Sequence, residues 1–240
     1  MGSKTVLITG GSRGIGAEMV RLFREHDYNV AFTYKNSCDA AEQIAKKYNA
    51  LPIRADSARE DEAEAAVSAV IDAFGDIDVL INNAAISSFS LFTDIEPSAW
   101  REIFDVNVHG AFYYTRAVSR KMIYKKQGRI INISSMWGVS GSACEVHYSA
   151  TKAAIIGMTK ALAKELGPSG ITVNCIAPGV IATDMNASLS EDDMVALREN
   201  TPVCRIGEPS DVANLALFLS QDEASFITGQ IIGVDGGYII

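Results

Sequence analysis

The hydrophobic positions of the chain follow two alternating patterns. Short β-branched runs that are apolar on both faces predict buried strands, and longer segments with apolar residues every three or four positions predict helices. The predicted strands cover residues 6–8, 30–33, 50–53, 79–81, 129–133, 171–176 and 230–234. The predicted helices cover residues 17–25, 40–47, 60–74, 111–124, 150–166 and 209–219.

Strands and helices alternate along the whole chain. Strands that are apolar on both faces belong to a parallel sheet that helices cover on each side. We therefore expect the α/β class and a single-domain Rossmann fold, with a doubly wound parallel sheet of about seven strands. No linker, repeat or low-complexity tract interrupts the pattern, so residues 1–240 are expected to form one domain.

Composition and charge exclude several kinds of partner. A net charge of −8 and a pI near 4.9 argue against nucleic acid, which needs a basic face. No apolar stretch approaches the roughly 20 residues that span a bilayer, so we expect no membrane association. The cysteines are too scattered in the sequence to form a metal site or a redox pair, and they indicate a reducing cytoplasmic location. They are Cys38, Cys144, Cys175 and Cys204.

A glycine-rich segment joins the first predicted strand to the first predicted helix. Residues 9–16 read Thr-Gly-Gly-Ser-Arg-Gly-Ile-Gly. Glycines at such a turn let the backbone approach a pyrophosphate, which sits at the positive end of the helix. A tight turn alone would also use glycine, but the placement favours a dinucleotide site.

The choice between the two nicotinamide cofactors depends on the end of the second predicted strand. An acidic residue there would bind the ribose 2′-hydroxyl of NAD, and this strand ends Thr-Tyr-Lys-Asn at residues 33–36. Lys35 and Arg13 offer positive charge for a 2′-phosphate, although both are also compatible with solvated surface positions. We therefore expect NADP(H) rather than NAD(H).

Tyr148 and Lys152 are four residues apart, so on a helix their side chains share one face. A ketone that accepts hydride develops negative charge on oxygen and needs a nearby proton donor. A free tyrosine has a pKa of about 10, and an adjacent ammonium would lower it. The pair predicts a proton donor, Tyr148, assisted by Lys152. Ser134 or Ser135, beyond the fifth predicted strand, can donate a hydrogen bond to the same oxygen.

These motifs, in this order, resemble the short-chain dehydrogenase/reductase family over nearly the whole chain. They are Thr-Gly-x-x-x-Gly-x-Gly at 9–16, Asn-Asn-Ala-Ala at 82–85, Asn107, Ser135, Tyr-Ser-Ala-Thr-Lys at 148–152 and Pro-Gly at 178–179. Ala85 departs from the usual glycine, which puts the local backbone angles in question.

The resemblance implies an NAD(P)-dependent oxidoreductase that acts on ketones or alcohols, and it assigns roles to particular residues. It favours Ser135 over Ser134 as the catalytic serine. It implies that Asn107 holds a water molecule of a proton relay and that the Asp56 carboxylate contacts the adenine amino group. The implied catalytic residues are Asn107, Ser135, Tyr148 and Lys152. The implied cofactor-binding residues are Gly10, Ser12, Arg13, Gly14, Ile15, Gly16, Tyr34, Lys35, Asp56, Ser57, Asn83, Ala84, Ala85, Tyr148, Lys152, Pro178, Gly179, Ile181 and Thr183.

The substrate is less well defined by the sequence. Residues 174–179 and 228–237 most resemble bacterial 3-oxoacyl-[acyl-carrier-protein] reductases, but these segments serve the cofactor and the scaffold. Glu145, preceded by Cys144, lies on the expected substrate loop and would suit a cationic ketone. The Cys-Glu pattern of this loop resembles reductases that act on the 5-aminopentanone group attached to elongation factor P. The alternative is a surface glutamate that points away from the pocket. A hydroxysteroid or sugar dehydrogenase, or a nucleotide-sensing binding protein, also remains open.

The resemblance further implies a homotetramer that pairs the helices predicted near residues 111–125 and 150–166 and packs the C-terminal segment 231–240. Residues 184–200, charged and rich in Met and Leu, are predicted to form a helical lid over the substrate.

Overall fold

The computed structural model describes residues 3–184 and 190–239. Its strands are β1 (Thr5–Ile8), β2 (Asn29–Tyr34), β3 (Leu51–Arg54), β4 (Val79–Asn82), β5 (Gly128–Ile133), β6 (Ile171–Pro178) and β7 (Ile231–Val234). Its α-helices are α1 (Gly14–Glu25), α2 (Cys38–Tyr48), α3 (Glu60–Phe74), α4 (Pro97–Phe104), α5 (Gly110–Lys125), α6 (Met136–Ser140), α7 (Val146–Leu166), α8 (Glu191–Glu199) and α9 (Pro209–Ser220).

The seven strands form one parallel sheet in the order β3-β2-β1-β4-β5-β6-β7. The chain winds outward in one direction from β1 to β3 and in the other from β4 to β7. The strand order therefore reverses between β1 and β4, and parallel sheets of this kind bind ligands in the crevice at the carboxyl ends of those strands. The predicted fold class is confirmed.

Both faces of the sheet are buried, as the continuous apolar runs predicted. In β1, Val6 and Ile8 pack with α1, α2 and α9, while Leu7 between them packs on the opposite face with α3, α5 and α7. All three side chains are fully buried. The residues that follow the strands are thereby fixed against a rigid scaffold.

A buried polar ladder crosses the middle of the sheet. The Asn82 amide donates to Asn132 Oδ1 at 2.8 Å and to Thr115 Oγ1 at 2.9 Å, and the Asn132 amide donates to Thr159 Oγ1 at 2.9 Å. The ladder links β4 and β5 to α5 and α7. It fixes the positions of the two helices that bring Asn107 and Tyr148 to the crevice.

Among the described residues, two short α-helices and the π-helical form of one turn near the crevice were not predicted from the sequence. They are α4, α6 and a π-helical turn at Asp105–His109, which continues directly into α5. α7 also begins four residues before the predicted start, so Tyr148 lies in its first turn. The predicted lid falls partly on residues 185–189, which lie outside the described residues, and its remainder contains α8. Within the described ranges, none of the helices combines the length and apolarity needed to cross a membrane.

Candidate active site

The glycine loop after β1 is held against the loop after β4. The Thr9 hydroxyl accepts hydrogen bonds from the backbone amides of Asn83 (2.9 Å) and Ala84 (3.0 Å), and the Asn83 side chain donates to Thr9 O and Gly10 O. Gly10 has φ +69°, and a Cβ there would lie 2.9 Å from Ala84 Cα. Glycine is needed at this position for both its backbone angle and the close approach.

The N-terminus of α1 is open to an anion. Arg13 precedes the helix in an extended conformation, its side chain does not cap the first turn, and the turn contains no acidic residue. By contrast, α3 begins with three acidic residues, and α8 begins with a capping box. The first backbone N–H groups of α1 and its dipole are therefore free to bind a phosphate.

A cleft of about 360 Å³ lies along the glycine loop, the ends of β2 and β3, and the loop after β4. It contains most of the predicted cofactor residues: Gly10, Ser12, Arg13, Gly14, Ile15, Gly16, Tyr34, Lys35, Asp56, Ser57, Asn83, Ala84, Ala85 and Thr183. Ala85 does not adopt a positive φ, so its methyl group is accommodated without strain. The glycine lining and the uncapped helix end together fit a dinucleotide.

Five predicted cofactor residues lie beyond this lining: Tyr148 and Lys152 on α7, and Pro178, Gly179 and Ile181 at and after the end of β6. Pro178 ends β6, and Gly179 donates its amide to Val234 O at 3.0 Å. Ile181 is buried and forms a parallel bridge with Gly207. Other residues that line the cleft were not predicted from the sequence. Those that directly follow strands lie where parallel sheets usually bind ligands, at the strand ends. The unpredicted lining residues are Thr33, Asn36, Ser37, Ala55, Ile86, Glu102, Val106 and Asp184.

Tyr148 and Lys152 are both buried on one face of α7. The Lys152 ammonium donates to Ile133 O at 2.9 Å and lies 5.6 Å from the centre of the Tyr148 ring. Burial lowers the pKa of Lys152 to about 8. The ammonium is thus held at the carboxyl end of β5, beside the phenol, and loses its proton more readily than a solvated lysine does.

The predicted lowering of the Tyr148 pKa is wrong for the ligand-free protein. Burial raises the pKa of Tyr148 to about 12, the nearby Ser135 hydroxyl opposes this rise, and the negative charge of Glu145 adds to it. The expectation failed because desolvation of the buried phenol outweighs the hydrogen bond from Ser135 that favours the phenolate. Ligand-free Tyr148 is therefore fully protonated at neutral pH.

The two candidate serines have different partners. Ser134 donates its hydroxyl to Lys152 O at 2.8 Å and so anchors α7 to the end of β5. Ser135 caps α6, accepts a hydrogen bond from the Trp137 amide at 3.1 Å, and lies close enough to Tyr148 to affect its pKa. The geometry favours Ser135 as the hydroxyl that shares a ligand with Tyr148.

Asn107 lies at the centre of the π-helical turn and is buried. The Asn107 side chain makes two hydrogen bonds to the backbone of Ile86, both at 2.9 Å: Oδ1 accepts from the Ile86 N–H, and Nδ2 donates to Ile86 O. Nδ2 also donates to Thr151 Oγ1 at 3.1 Å. Asn107 and Lys152 also line a small cavity of about 10 Å³. That volume is close to the space one water molecule occupies.

The loop before α7 is attached to the loop after β4. The Ser90 amide donates to Cys144 O at 2.8 Å, and the Ser88 hydroxyl is 2.6 Å from Nε2 of the buried His147. Glu145 precedes α7, and burial raises the pKa of its carboxyl group. In the described part of the chain, Glu145 has no cationic partner within ion-pair distance. The sequence did not predict the roles of Ser88, Ser90 and His147, because they depend on contacts between distant loops.

Comparison with known proteins agrees with this geometry. The profile of a family described as enoyl-(acyl carrier protein) reductase matches residues 10–239. The 3-oxoacyl-[acyl-carrier-protein] reductase of Staphylococcus epidermidis is 40% identical over 240 residues, which is 98% of each chain. The enzyme of that name from Synechocystis is 39% identical over 244 residues, covering 99% of this chain and 98% of the other.

Solved structures give the same result. The 3-oxoacyl-[acyl-carrier protein] reductase of Brucella melitensis superposes with a TM-score of 0.92 at 38% identity, covering all of this chain and 92% of the other. A mutant short-chain dehydrogenase/reductase of Serratia marcescens superposes with a TM-score of 0.93 at 32% identity, covering 99% and 98%. The chain belongs to the short-chain dehydrogenase/reductase family, whose members are oxidoreductases.

Proposed function

We propose that this protein uses NADPH to reduce the ketone of a 3-oxoacyl thioester carried by acyl carrier protein. The observation that carries the proposal is the buried phenol–ammonium pair of Tyr148 and Lys152 at the carboxyl end of β5. Lys152 lines a small cavity together with Ser57, Ala84 and Val106, which also line the dinucleotide cleft. The names and the high coverage of the relatives support the substrate class.

The residues of the chain have distinct roles in this reaction. NADPH, when bound along the cleft, would supply the hydride that reduces the carbonyl carbon. Tyr148 gives its phenolic proton to the oxygen as the negative charge develops, and Ser135 donates a second hydrogen bond to that oxygen. Because Tyr148 is fully protonated before the reaction, the acid is available at neutral pH.

The proton of Tyr148 must then be replaced. The Lys152 ammonium has a pKa lowered to about 8, so it can release a proton near neutral pH more readily than a solvated lysine. The small cavity beside Lys152 and Asn107 offers room for a water that reloads it. Within the described residues, Asn82 Oδ1 is buried without a partner and belongs to a residue of the cavity wall, so it offers this water an acceptor.

The preference for NADPH is proposed on two cations of the dinucleotide cleft. Arg13 and Lys35 line it, whereas no carboxylate ends β2. An arginine fork and a lysine ammonium both suit a 2′-phosphate.

The test is NADPH oxidation with acetoacetyl-[acyl-carrier-protein] as the ketone. A crotonyl thioester, which offers a carbon–carbon double bond instead, serves as the control substrate, and NADH as the control cofactor. We expect turnover with the ketone and a higher kcat/KM with NADPH than with NADH. Absence of ketone-dependent oxidation would refute the substrate class, and preference for NADH would refute the cofactor assignment.

A second candidate function rests on Glu145. This carboxylate directly precedes α7, three residues before Tyr148. It is half-buried and close enough to raise the pKa of the phenol. A carboxylate at that place attracts a substrate with a positive charge near its ketone, such as the 5-aminopentanone group on elongation factor P. A neutral acyl thioester makes no use of it.

A charge-matched comparison separates the two candidates. We would measure kcat/KM for a cationic amino ketone and for a neutral ketone of the same length, in the wild type and in Glu145→Gln. If Glu145 selects a cation, the variant loses activity only with the amino ketone. Equal effects on both substrates would refute the second candidate. Glu223→Gln, an exposed change outside the site, serves as the control.

We also propose a cytoplasmic homotetramer. The support is the exposed apolar surface on α5, where Phe112, Ile123 and Tyr124 face outward. Apolar patches of this kind mark contacts between chains. Light scattering on the purified protein tests the assembly, and a monomeric mass would refute it.

A further inference from the structure

Two residues that serve different parts of the proposed cofactor are paired with each other. Lys35 Nζ lies 2.7 Å from Asp56 Oδ2, and both residues line the dinucleotide cleft. Lys35 is the proposed partner of the 2′-phosphate, and Asp56 that of the adenine amino group. The ammonium intended for the phosphate is therefore neutralised by a carboxylate of the same site.

We infer that Asp56 weakens the selection of NADP over NAD by competing with the 2′-phosphate for Lys35. The inference rests on the proposed cofactor site and goes beyond it, because it assigns to Asp56 an effect on cofactor choice that is separate from its adenine contact.

The contacts of the pair show which partner must move. The Asp56 side chain is 21% exposed, and its Oδ1 accepts the Ala58 amide at 3.1 Å. The Asp56 amide in turn donates to Glu62 at 2.8 Å. The Lys35 side chain is 52% exposed on a flexible stem. Asp56 is anchored and Lys35 is mobile, so a phosphate recruits the ammonium only by loosening its contact with Asp56.

Sharing the ammonium does not remove the competition. If Lys35 contacts both groups, the phosphate dianion is brought close to the Asp56 carboxylate, and like charges repel. Either arrangement weakens the binding of NADP, whereas NAD has no 2′-phosphate and is unaffected. Arg13 lines the same cleft and has no carboxylate partner among the residues described, so the site keeps one unopposed cation for the phosphate.

The expected size of the effect follows from the exposure of the pair. Ion pairs at this level of exposure change binding by about two- to fivefold. We therefore expect Asp56→Asn to raise the ratio Kd(NAD⁺)/Kd(NADP⁺) by about two- to fivefold. An asparagine oxygen still accepts a hydrogen bond from adenine, and any change in that contact affects both ligands and cancels in the ratio.

The experiment is calorimetric titration of NAD⁺ and NADP⁺ into the ligand-free protein, without substrate, at physiological ionic strength. The proteins are the wild type, Asp56→Asn, Lys35→Met and the double variant. Asp61→Asn is the matched control, because it makes the same charge change in the exposed Arg59–Asp61 pair outside the cleft lining. Thermal unfolding checks that each variant is folded.

The inference predicts that Asp56→Asn raises the ratio in the wild-type background and leaves it unchanged in the Lys35→Met background. It is overturned if Asp56→Asn leaves the ratio unchanged, if the rise persists without Lys35, or if Asp61→Asn produces the same rise. Failure of the cofactor assignment has a different signature, namely a wild type that binds NAD⁺ as tightly as NADP⁺.

Discussion

Lys152 is a buried cation whose removal should stabilise the ligand-free protein at neutral pH. The side chain is buried, and among the described residues its ammonium has one hydrogen-bond partner, Ile133 O at 2.9 Å. Burial lowers its pKa from 10.5 to about 8. At about 1.36 kcal/mol for each pKa unit, the cost of keeping this charge folded is about 3 kcal/mol. We therefore expect Lys152→Met to be more stable and inactive.

The pH dependence of the free energy of unfolding shows whether the buried charge of Lys152 is the cause of the difference. Between pH 8 and 10.5 the unfolded chain keeps the Lys152 proton and the folded chain has lost it. Because the unfolded state binds more protons there, the stability of the wild type rises with pH. Below pH 8 both states carry the proton, and the full cost of the buried charge is present. Lys152→Met has no titrating group at this position, so its advantage falls by about 3 kcal/mol between pH 7 and 10.5.

The assay is urea unfolding without cofactor at pH 7, 8, 9 and 10, followed by circular dichroism. Lys164→Met is the control, because Lys164 is an exposed lysine of the same helix. Lys152→Met also loses the hydrogen bond to Ile133 O, which lowers its free energy of unfolding by about 1 kcal/mol at every pH. A difference that does not change with pH would refute the reasoning.

Three further predictions follow from close contacts and from charge. Gly16→Ala should abolish NADP⁺ binding in calorimetry, because its Cβ would overlap the Gly10 carbonyl oxygen; unchanged binding would contradict the described loop. Asn132→Ala should lower the free energy of unfolding by about 2–4 kcal/mol, since it breaks two buried hydrogen bonds, and a loss below about 0.5 kcal/mol in urea unfolding would contradict this. Glu145→Gln removes a charge that raises the pKa of Tyr148, so the pH profile of alcohol oxidation should shift to lower pH; a shift upward would contradict the assignment.

The parts of the fold that depend on local pattern were predictable from the sequence. The strands are apolar on both faces, and the helix at Glu60–Phe74 has the predicted limits because acidic residues begin it and a glycine ends it. α4, α6 and the π-helical form of the turn were missed because these segments contain only eight, five and five residues, too few to establish a hydrophobic period.

The candidate site divides in the same way. The residues of the glycine loop are consecutive, and Tyr148 and Lys152 are one helical turn apart. The sequence was therefore sufficient to predict that the members of each set lie close together. The direction of the Tyr148 pKa was not predictable, because it depends on burial produced by the whole fold. The Lys35–Asp56 pair also required the structure, since β2 and β3 bring together residues 21 positions apart in the chain.

The role of Tyr148 as proton donor is the central claim, and one comparison tests it directly. It is the kcat/KM for NADPH-dependent reduction of acetoacetyl-[acyl-carrier-protein] by the wild type and by Tyr148→Phe, together with the NADP⁺ affinity of both proteins. We expect a loss of at least about a hundredfold in kcat/KM for Tyr148→Phe, with cofactor affinity nearly unchanged. Activity of Tyr148→Phe within about twofold of the wild type would contradict it.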